Sequence, residues 1–260
     1  MSKLSWSPCQ EAVFEFVESG EGNAIVEAVA GSGKTTTIVE ALRRIEFQCP
    51  DTLFLAFNKS IAEELKSRGV NARTFHSLTY GPVTKHLGIR QVDANKTKKI
   101  MNNMITFDEI KMYSAFVGRL VGLAKQMGIG CLCDDTEEQW YGIIEHHDLT
   151  LESERASITR AVELAREVFD RSNAELSADF DDLLYLAVKE GVSIPKFDFI
   201  FVDEAQDTNA IQRAILRKAM NEGARVAAVG DPAQAIYGFR GSDSNSLNMI
   251  AEEFQCIRLP

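Results

Sequence analysis

The sequence predicts an α/β protein: a mostly parallel sheet with helices on both faces and an all-helical segment inserted in its middle. Three observations predict it. Short apolar runs such as Asn23-Ala24-Ile25-Val26-Glu27 and Phe197-Asp198-Phe199-Ile200-Phe201-Val202 alternate with stretches whose apolar residues recur at helical spacing. A glycine-rich turn joins the first of these runs to a helix. From Asp93 to Ser172 no convincing strand occurs, while helical patterns follow one another.

The elements follow in order. Ser7-Pro8 opens a helix, with Ser7 as cap and Pro8 in the first turn, and Val13, Phe14, Phe16 and Val17 face inward. Gln10 on this helix reads, by itself, as a solvated residue. The first strand, 23–27, runs through the glycine turn into a helix over 35–44. A second strand spans Thr52 to Phe57, and a helix from Ser60 to Arg68 buries Ile61, Ala62 and Leu65. A third strand falls at 70–74. Helices are expected near 94–105, 108–127, 135–147 and 151–172, with Asp108 and Asp134 or Asp135 as N-caps. The basic residues of these helices include Lys96, Lys98, Lys99, Lys111, Arg119 and Lys125, most of which read individually as a solvated face. The α/β pattern resumes with a helix at Asp179–Leu184, then strands at 197–202 and 225–229.

Composition sets outer bounds. The chain has 260 residues, enough for a large domain or a domain plus an insertion, and its 45% hydrophobic and 25% charged residues describe an ordinary globular protein. No apolar run approaches the ~18 residues of a membrane span, and Met1–Trp6 lacks the apolar segment of a signal peptide. The expected location is therefore cytoplasmic, with five scattered cysteines as reduced thiols. Cys131-Leu132-Cys133 near His146-His147 is tighter than the usual Cys-x₂₋₄-Cys zinc spacing, and free thiols are the better reading. A net charge of −10 argues against a protein that simply coats nucleic acid, but not against a local basic groove.

Three polar clusters fall at the carboxyl ends of strands, where open parallel sheets bind ligands. The first is Ala28-Val29-Ala30-Gly31-Ser32-Gly33-Lys34-Thr35. Its glycines let backbone N–H groups and a helix N-terminus wrap phosphate oxygens, Lys34 would bridge the β- and γ-phosphates, and the Thr35 hydroxyl would ligate Mg²⁺. Ala28 stands where the strict Walker pattern has glycine, and such a turn can also be a plain strand–helix connection. The second cluster is Asp203-Glu204. An acid directly after an apolar strand suits Mg²⁺ (Asp203), and the adjacent Glu204 can take a proton from an attacking water; a charge pair at a helix start is the alternative. The third is Asp231 with Gln234, whose amide can reach a γ-phosphate.

These residues carry a resemblance. Asp203-Glu204-Ala205-Gln206-Asp207 and Val229-Gly230-Asp231-Pro232-Ala233-Gln234-Ala235-Ile236-Tyr237-Gly238-Phe239-Arg240-Gly241 resemble motifs II and III of the UvrD/Rep/PcrA group of superfamily 1 DNA helicases. Ala30–Thr35 resembles motif I, Phe57-Asn58-Lys59 motif Ia, Thr74-Phe75-His76-Ser77-Leu78 motif Ib, and Phe180–Leu184 a segment typical before motif II. Ala56–Ala62, Thr74–Ser77 and Phe239–Gly241 together are most similar to the F-box DNA helicase branch and its phage-like relatives.

The resemblance implies a RecA-like ATP-binding domain (1A) at 1–88 and 176–260, and a helical insertion (1B) at 89–175. It implies ATP and Mg²⁺ as cofactors. Gln10, Ala30, Gly31, Ser32, Gly33, Lys34, Thr35, Thr36 and Asp203 would hold them, with Glu204, Lys34 and Gln234 catalytic. Single-stranded DNA and single–double-strand junctions would be partners, engaged by Phe57, Asn58, Lys59, Thr74, Phe75, His76, Tyr237, Phe239 and Arg240 in 3′→5′ movement, in repair or recombination. An aromatic taken alone is more often core than contact; at Phe239 the family position favours contact, with a π-face but no indole donor. Gln255–Pro260 resembles the strand leading to motif IV, so a second RecA-like domain, with arginines worth about 10³–10⁵ in rate in related enzymes, is expected from outside this chain. The chain then binds nucleotide and does not translocate alone. A small-molecule kinase fits Phe239-Arg240-Gly241 and the Phe-His-Ser cluster poorly, whereas a nucleotide-gated binding module without unwinding fits as a second reading.

Overall fold

The structure, a computed structural model, describes residues 5–29, 32–45, 49–231 and 246–259. Among these, the chain runs α1 (Pro8–Ser19), β1 (Asn23–Glu27), α2 (Lys34–Ile45), β2 (Thr52–Leu55), α3 (Lys59–Ser67), β3 (Ala72–Arg73) and α4 (Phe75–Leu87). Helices α5 (Lys96–Met104), α6 (Phe107–Met127), α7 (Glu137–His146), α8 (Ile158–Ala174) and α9 (Phe180–Lys189) follow. Then come β4 (Phe197–Val202), a 3₁₀ turn η1 (Ala205–Asp207), α10 (Ala210–Lys218), β5 (Met220–Gly230), α11 (Ser246–Glu253) and β6 (Cys256–Leu259). The six strands form one all-parallel sheet in the order β3-β2-β4-β5-β1-β6. The expected α/β class with a parallel sheet is thus what the chain adopts.

Two compact units divide the chain: Met1–Ser77 with Pro195–Thr208 and Leu216–Pro260, and Leu78–Ile194 with Asn209–Ile215. The first holds the sheet. Its central strands are apolar on both faces because helices cover both, as parallel sheets require. Val13, Phe14, Val26, Ile38, Phe54 and Phe201 are among the residues of its core. The end of α1 is fixed by Arg225, whose guanidinium donates to the carbonyls of Val17 and Gly22 (both 3.2 Å) and lies over the rings of Phe16 and Phe199.

The second unit is helical. Helix α6 packs against α5, α7, α8 and α9. This unit reaches beyond the strand-poor stretch of the sequence because α9, apolar along one side, packs on α6 rather than standing apart.

Local readings need correction at several points. The N-cap of α6 is Thr106, in a reciprocal box with Glu109, rather than Asp108, which lies inside the first turn. The N-cap of α7 is Thr136; Asp135 instead accepts the Trp140 indole N–H at 2.7 Å. Residues 151–157 are not helical: Ser157 caps α8, and its own N–H donates to Tyr113 Oη at 3.0 Å. The third strand shrinks to Ala72–Arg73, since Thr74 and Ser77 exchange backbone-to-hydroxyl bonds (2.9 and 3.1 Å) that start α4 instead. Strand β5 begins earlier than expected, at Met220, and carries an irregularity opposite Phe197–Phe199.

The largest correction concerns charge. Lys96 and Lys125 are not on a solvated face but only 1% exposed. Lys96 Nζ donates to Asp182 Oδ2 (2.7 Å) and to the carbonyls of Ser172 (2.6 Å) and Ser177 (2.7 Å). Lys125 Nζ lies 2.6 Å from Asp182 Oδ1 and donates to Ser172 Oγ at 3.0 Å.

Candidate active site

The site is built where β1 and β4 end, on either side of β5. After β1 the chain turns through Gly33, whose φ of +82° is a left-handed conformation that a side chain would strain. The Gly33 carbonyl then accepts the Thr37 N–H at 3.0 Å, and Lys34 is the first residue of α2. After β4, Asp203 remains in sheet register, its N–H donating to the Leu55 carbonyl at 2.9 Å. Glu204 then turns sharply, with φ 46° and ψ 47°. Non-glycine residues in this region carry local strain and concentrate at functional positions.

The two acids consequently point to different surroundings. Asp203 is only 8% exposed, and burial, then the Glu204 charge, push its carboxyl up to about 6 against the pull of Lys34. Glu204 Oε1 accepts from Lys34 Nζ at 3.0 Å, and its Oε2 accepts from Gln206 Nε2 at 2.7 Å. Gln206 Oε1 in turn accepts the backbone N–H of Asp231 at 3.2 Å, at the end of β5.

On the other flank, Gln10 is not a free solvated residue. Its Oε1 accepts the Ser7 N–H at 2.9 Å, and its Nε2 donates to Thr37 Oγ1 at 2.8 Å, tying α1 to α2. A cavity of about 270 Å³ opens beside the turn, lined by Gln10, Val13, Ala28, Ser32, Lys34 and Thr37 among others.

The structure thus brings Lys34, Asp203 and Glu204 together, and Gln10 near the start of α2. Ser32, Gly33, Thr35 and Thr36 are exposed around the first turn of α2. Ala30, Gly31, Gln234, Tyr237, Phe239 and Arg240 lie outside the described residues. Of the DNA candidates, Asn58 accepts the Ile61 N–H at 2.9 Å as the cap of α3, and Lys59 is exposed beside Glu63 (3.5 Å). Phe57, Thr74 and His76 are half-buried. Phe75 is 7% exposed, so its ring belongs to the core rather than to an open stacking surface.

Two residues of the site have no role that the sequence pattern alone assigns. Thr37 receives the Gln10 amide, and Gln206 joins Glu204 to β5. The signal for Gln206 was its place two residues after Glu204, inside a turn too short to bury it in a helix face.

Away from this site, the Cys131 thiol donates to the Gly128 carbonyl at 3.4 Å, and burial pushes it up to about 11. Among the described residues, no group of three or more His, Cys, Asp or Glu side chains is placed to hold a metal, and no helix is long and apolar enough to cross a membrane.

A parallel sheet with a glycine turn and lysine after one strand, and an acid pair two strands away, defines the class of RecA-like α/β nucleotide-binding domains. The family follows from comparison. The chain belongs to the UvrD/REP helicase family, whose N-terminal domain model matches residues 9–255. It is 27% identical to the ATP-dependent DNA helicase srs2 of Schizosaccharomyces pombe over 92% of this chain, and 28% identical to the F-box DNA helicase 1 of Gallus gallus over 84%. It is 26% identical to the ATP-dependent DNA helicase Rep of Escherichia coli over 97%. The matches cover 31%, 22% and 40% of those relatives' lengths.

Proposed function

We infer that this chain is the ATP-binding motor half of a DNA helicase or translocase, coupling ATP hydrolysis to 3′→5′ movement on single-stranded DNA. The observation that carries the reading is the contact of Lys34 with Glu204 beside buried Asp203, at the ends of strands β1 and β4. The relatives' printed names, ATP-dependent DNA helicases, support it. On this reading 1–88 and 176–260 serve as motor domain 1A, 89–175 as the inserted 1B, and a second RecA-like domain completes the site.

The donor set fits a metal–nucleotide complex. Asp203 is a buried carboxylate whose proton affinity is raised by burial and by the neighbouring Glu204 charge, so a bound cation would stabilise its ionised form. With the Thr35 hydroxyl it would hold Mg²⁺, which supplies charge neutralisation on the phosphates. Lys34 exchanges its Glu204 carboxylate for phosphate oxygens. That exchange frees Glu204 Oε1 to accept the proton of a water. The water oxygen bonds to the γ-phosphorus as the bond to the β–γ bridging oxygen breaks, and ADP departs with that electron pair. Gln234 contacts the γ-phosphate and Gln10 the base. Lys59 with Phe57, Asn58, Thr74, His76, Tyr237, Phe239 and Arg240 engages single-stranded DNA and single–double-strand junctions.

The reading is tested by equilibrium binding and by phosphate release. Lys34→Ala is expected to abolish ATP binding, and Glu204→Gln to bind ATP while losing hydrolysis by about 10²-fold or more. Normal turnover by Glu204→Gln would sink the general-base role. The second reading is a nucleotide-gated DNA-binding module without unwinding. ATP-dependent DNA affinity with no DNA-stimulated phosphate release would select it.

A further inference from the structure

We propose that Gln206 is the positioning residue that holds the Glu204 carboxylate and reports its position to the end of β5. The proposal rests on the reading of Glu204 as the base. Four observations support it. Gln206 is 2% exposed, although its side chain is wholly polar at the tip, so both ends of its amide need partners. It finds one on each side: Nε2 donates to Glu204 Oε2 at 2.7 Å, and Oε1 accepts the Asp231 N–H at 3.2 Å. The β5 end is shaped around it, since a Cβ on Gly230 would lie 2.5 Å from Gln206 Oε1. Finally, Glu204 sits in a left-handed backbone conformation that offers its side chain no support from a regular helix or strand.

The amide therefore has a task that Lys34 does not share. Lys34 must leave Glu204 when phosphate arrives, which would let an untethered carboxylate rotate. Gln206 retains Oε2, so the freed Oε1 stays aimed where Lys34 was. Because the same amide grips the Asp231 N–H, a displacement of the end of β5 is felt by the carboxylate, and the reverse. Nucleotide state and the end of β5 are thereby joined through one side chain.

The test uses the full chain with Gln206→Leu, Glu204→Gln and Gly230→Ala. ATP affinity is read by equilibrium titration, turnover by single-turnover phosphate release with excess protein, and the Asp231 amide by hydrogen exchange. Gln206→Leu is expected to bind ATP within about threefold of the parent, to lose about 10–100-fold in turnover, and to exchange its Asp231 amide faster. Gly230→Ala, which pushes on Oε1 without removing the amide, is expected to reproduce the turnover loss. Parental turnover in Gln206→Leu, with Glu204→Gln inactive, overturns the positioning role and leaves the base assignment standing. Parallel loss of affinity, turnover and thermal midpoint also overturns it, as a mere structural contribution. Parental turnover in Glu204→Gln defeats the base assignment itself. In that case unchanged exchange at Asp231 in Gln206→Leu defeats the link to β5, and faster exchange retains it.

Discussion

At the scale of single residues, neighbouring acids behave in opposite ways. Burial alone would push the Asp182 carboxyl up, but the ammoniums of Lys125 and Lys96 outweigh it and hold it below the usual carboxylate range. Asp181, one residue earlier, is pushed up by burial, only partly offset by the hydrogen bond from Gln126. The sign of each follows by linkage. Asp182, with its folded value depressed, contributes stability that is complete above an unfolded carboxyl value of ~3.9 and is lost as pH falls through the folded value. Asp181, with its folded value raised, costs stability when ionised and recovers it on protonation. Breaking a buried pair leaves an uncompensated charge, so Lys125→Met should cost about 3–5 kcal/mol in urea unfolding at neutral pH. Asp182→Asn should flatten the loss of stability below about pH 4; an acid limb equal to the parent's would show that the cluster does not set it. Sequence could not reveal this cluster. Lysines on amphipathic helices look solvated by default, and their burial depends on where Asp182 and the carbonyls of Ser172 and Ser177 come together in space. Lys34 and Glu204 were legible for the opposite reason, since a motif fixes their roles through local spacing, whereas Gln206 acts only across strand ends.

At the scale of elements, apolar runs located β1 and β4 to the residue, because central parallel strands are buried on both faces and need no alternation to be recognised. Helix starts were less legible. Threonines at 106 and 136 out-compete nearby aspartates as caps, and Ser157 caps a helix that starts later than its apolar pattern suggests; the choice depends on where the preceding loop leaves the chain. Helix ends are firmer. Helix α6 stops at Gly128 (φ 81°), whose N–H donates to the Ala124 and Lys125 carbonyls at 3.1 and 3.0 Å. A Cβ there would also meet Leu132 Cγ at 2.7 Å, while at Gly130 (φ 77°) it would make only ordinary contact with Tyr185 Oη at 3.5 Å. Gly128→Ala combines backbone strain with overpacking and should cost about 3 kcal/mol. Gly130→Ala carries the strain alone and should cost about 1 kcal/mol. Equal losses in urea unfolding would mean that the Leu132 contact relaxes freely.

At the scale of the whole molecule, the proposed DNA partner has to be reconciled with a net charge of −10. The net charge opposes diffuse attraction, so on the proposed reading DNA affinity would come from a few placed cations and from stacking, which tolerates any base. Lys59 is the one DNA candidate in the described residues that carries a permanent positive charge, and it is exposed at the start of α3 beside the carboxyl end of β2. Its ion pair with Glu63 at 3.5 Å is a surface pair of small worth, about 0.5 kcal/mol, so a phosphate can replace it at little cost. Each phosphate neutralised on a single strand adds about 0.7 to the slope of log affinity against log salt. Lys59→Ala should therefore weaken binding to oligonucleotides of every sequence alike and lower that slope by about 0.7. Fluorescence anisotropy of a labelled single strand between 50 and 200 mM salt, a range over which multi-contact binders lose orders of magnitude, reads both quantities. An unchanged slope with weakened affinity would place Lys59 outside the phosphate path and leave Asn58 and Lys59 as the cap and first turn of α3. A lowered slope would make the same turn serve folding and grip together, as the carboxyl ends of parallel strands favour.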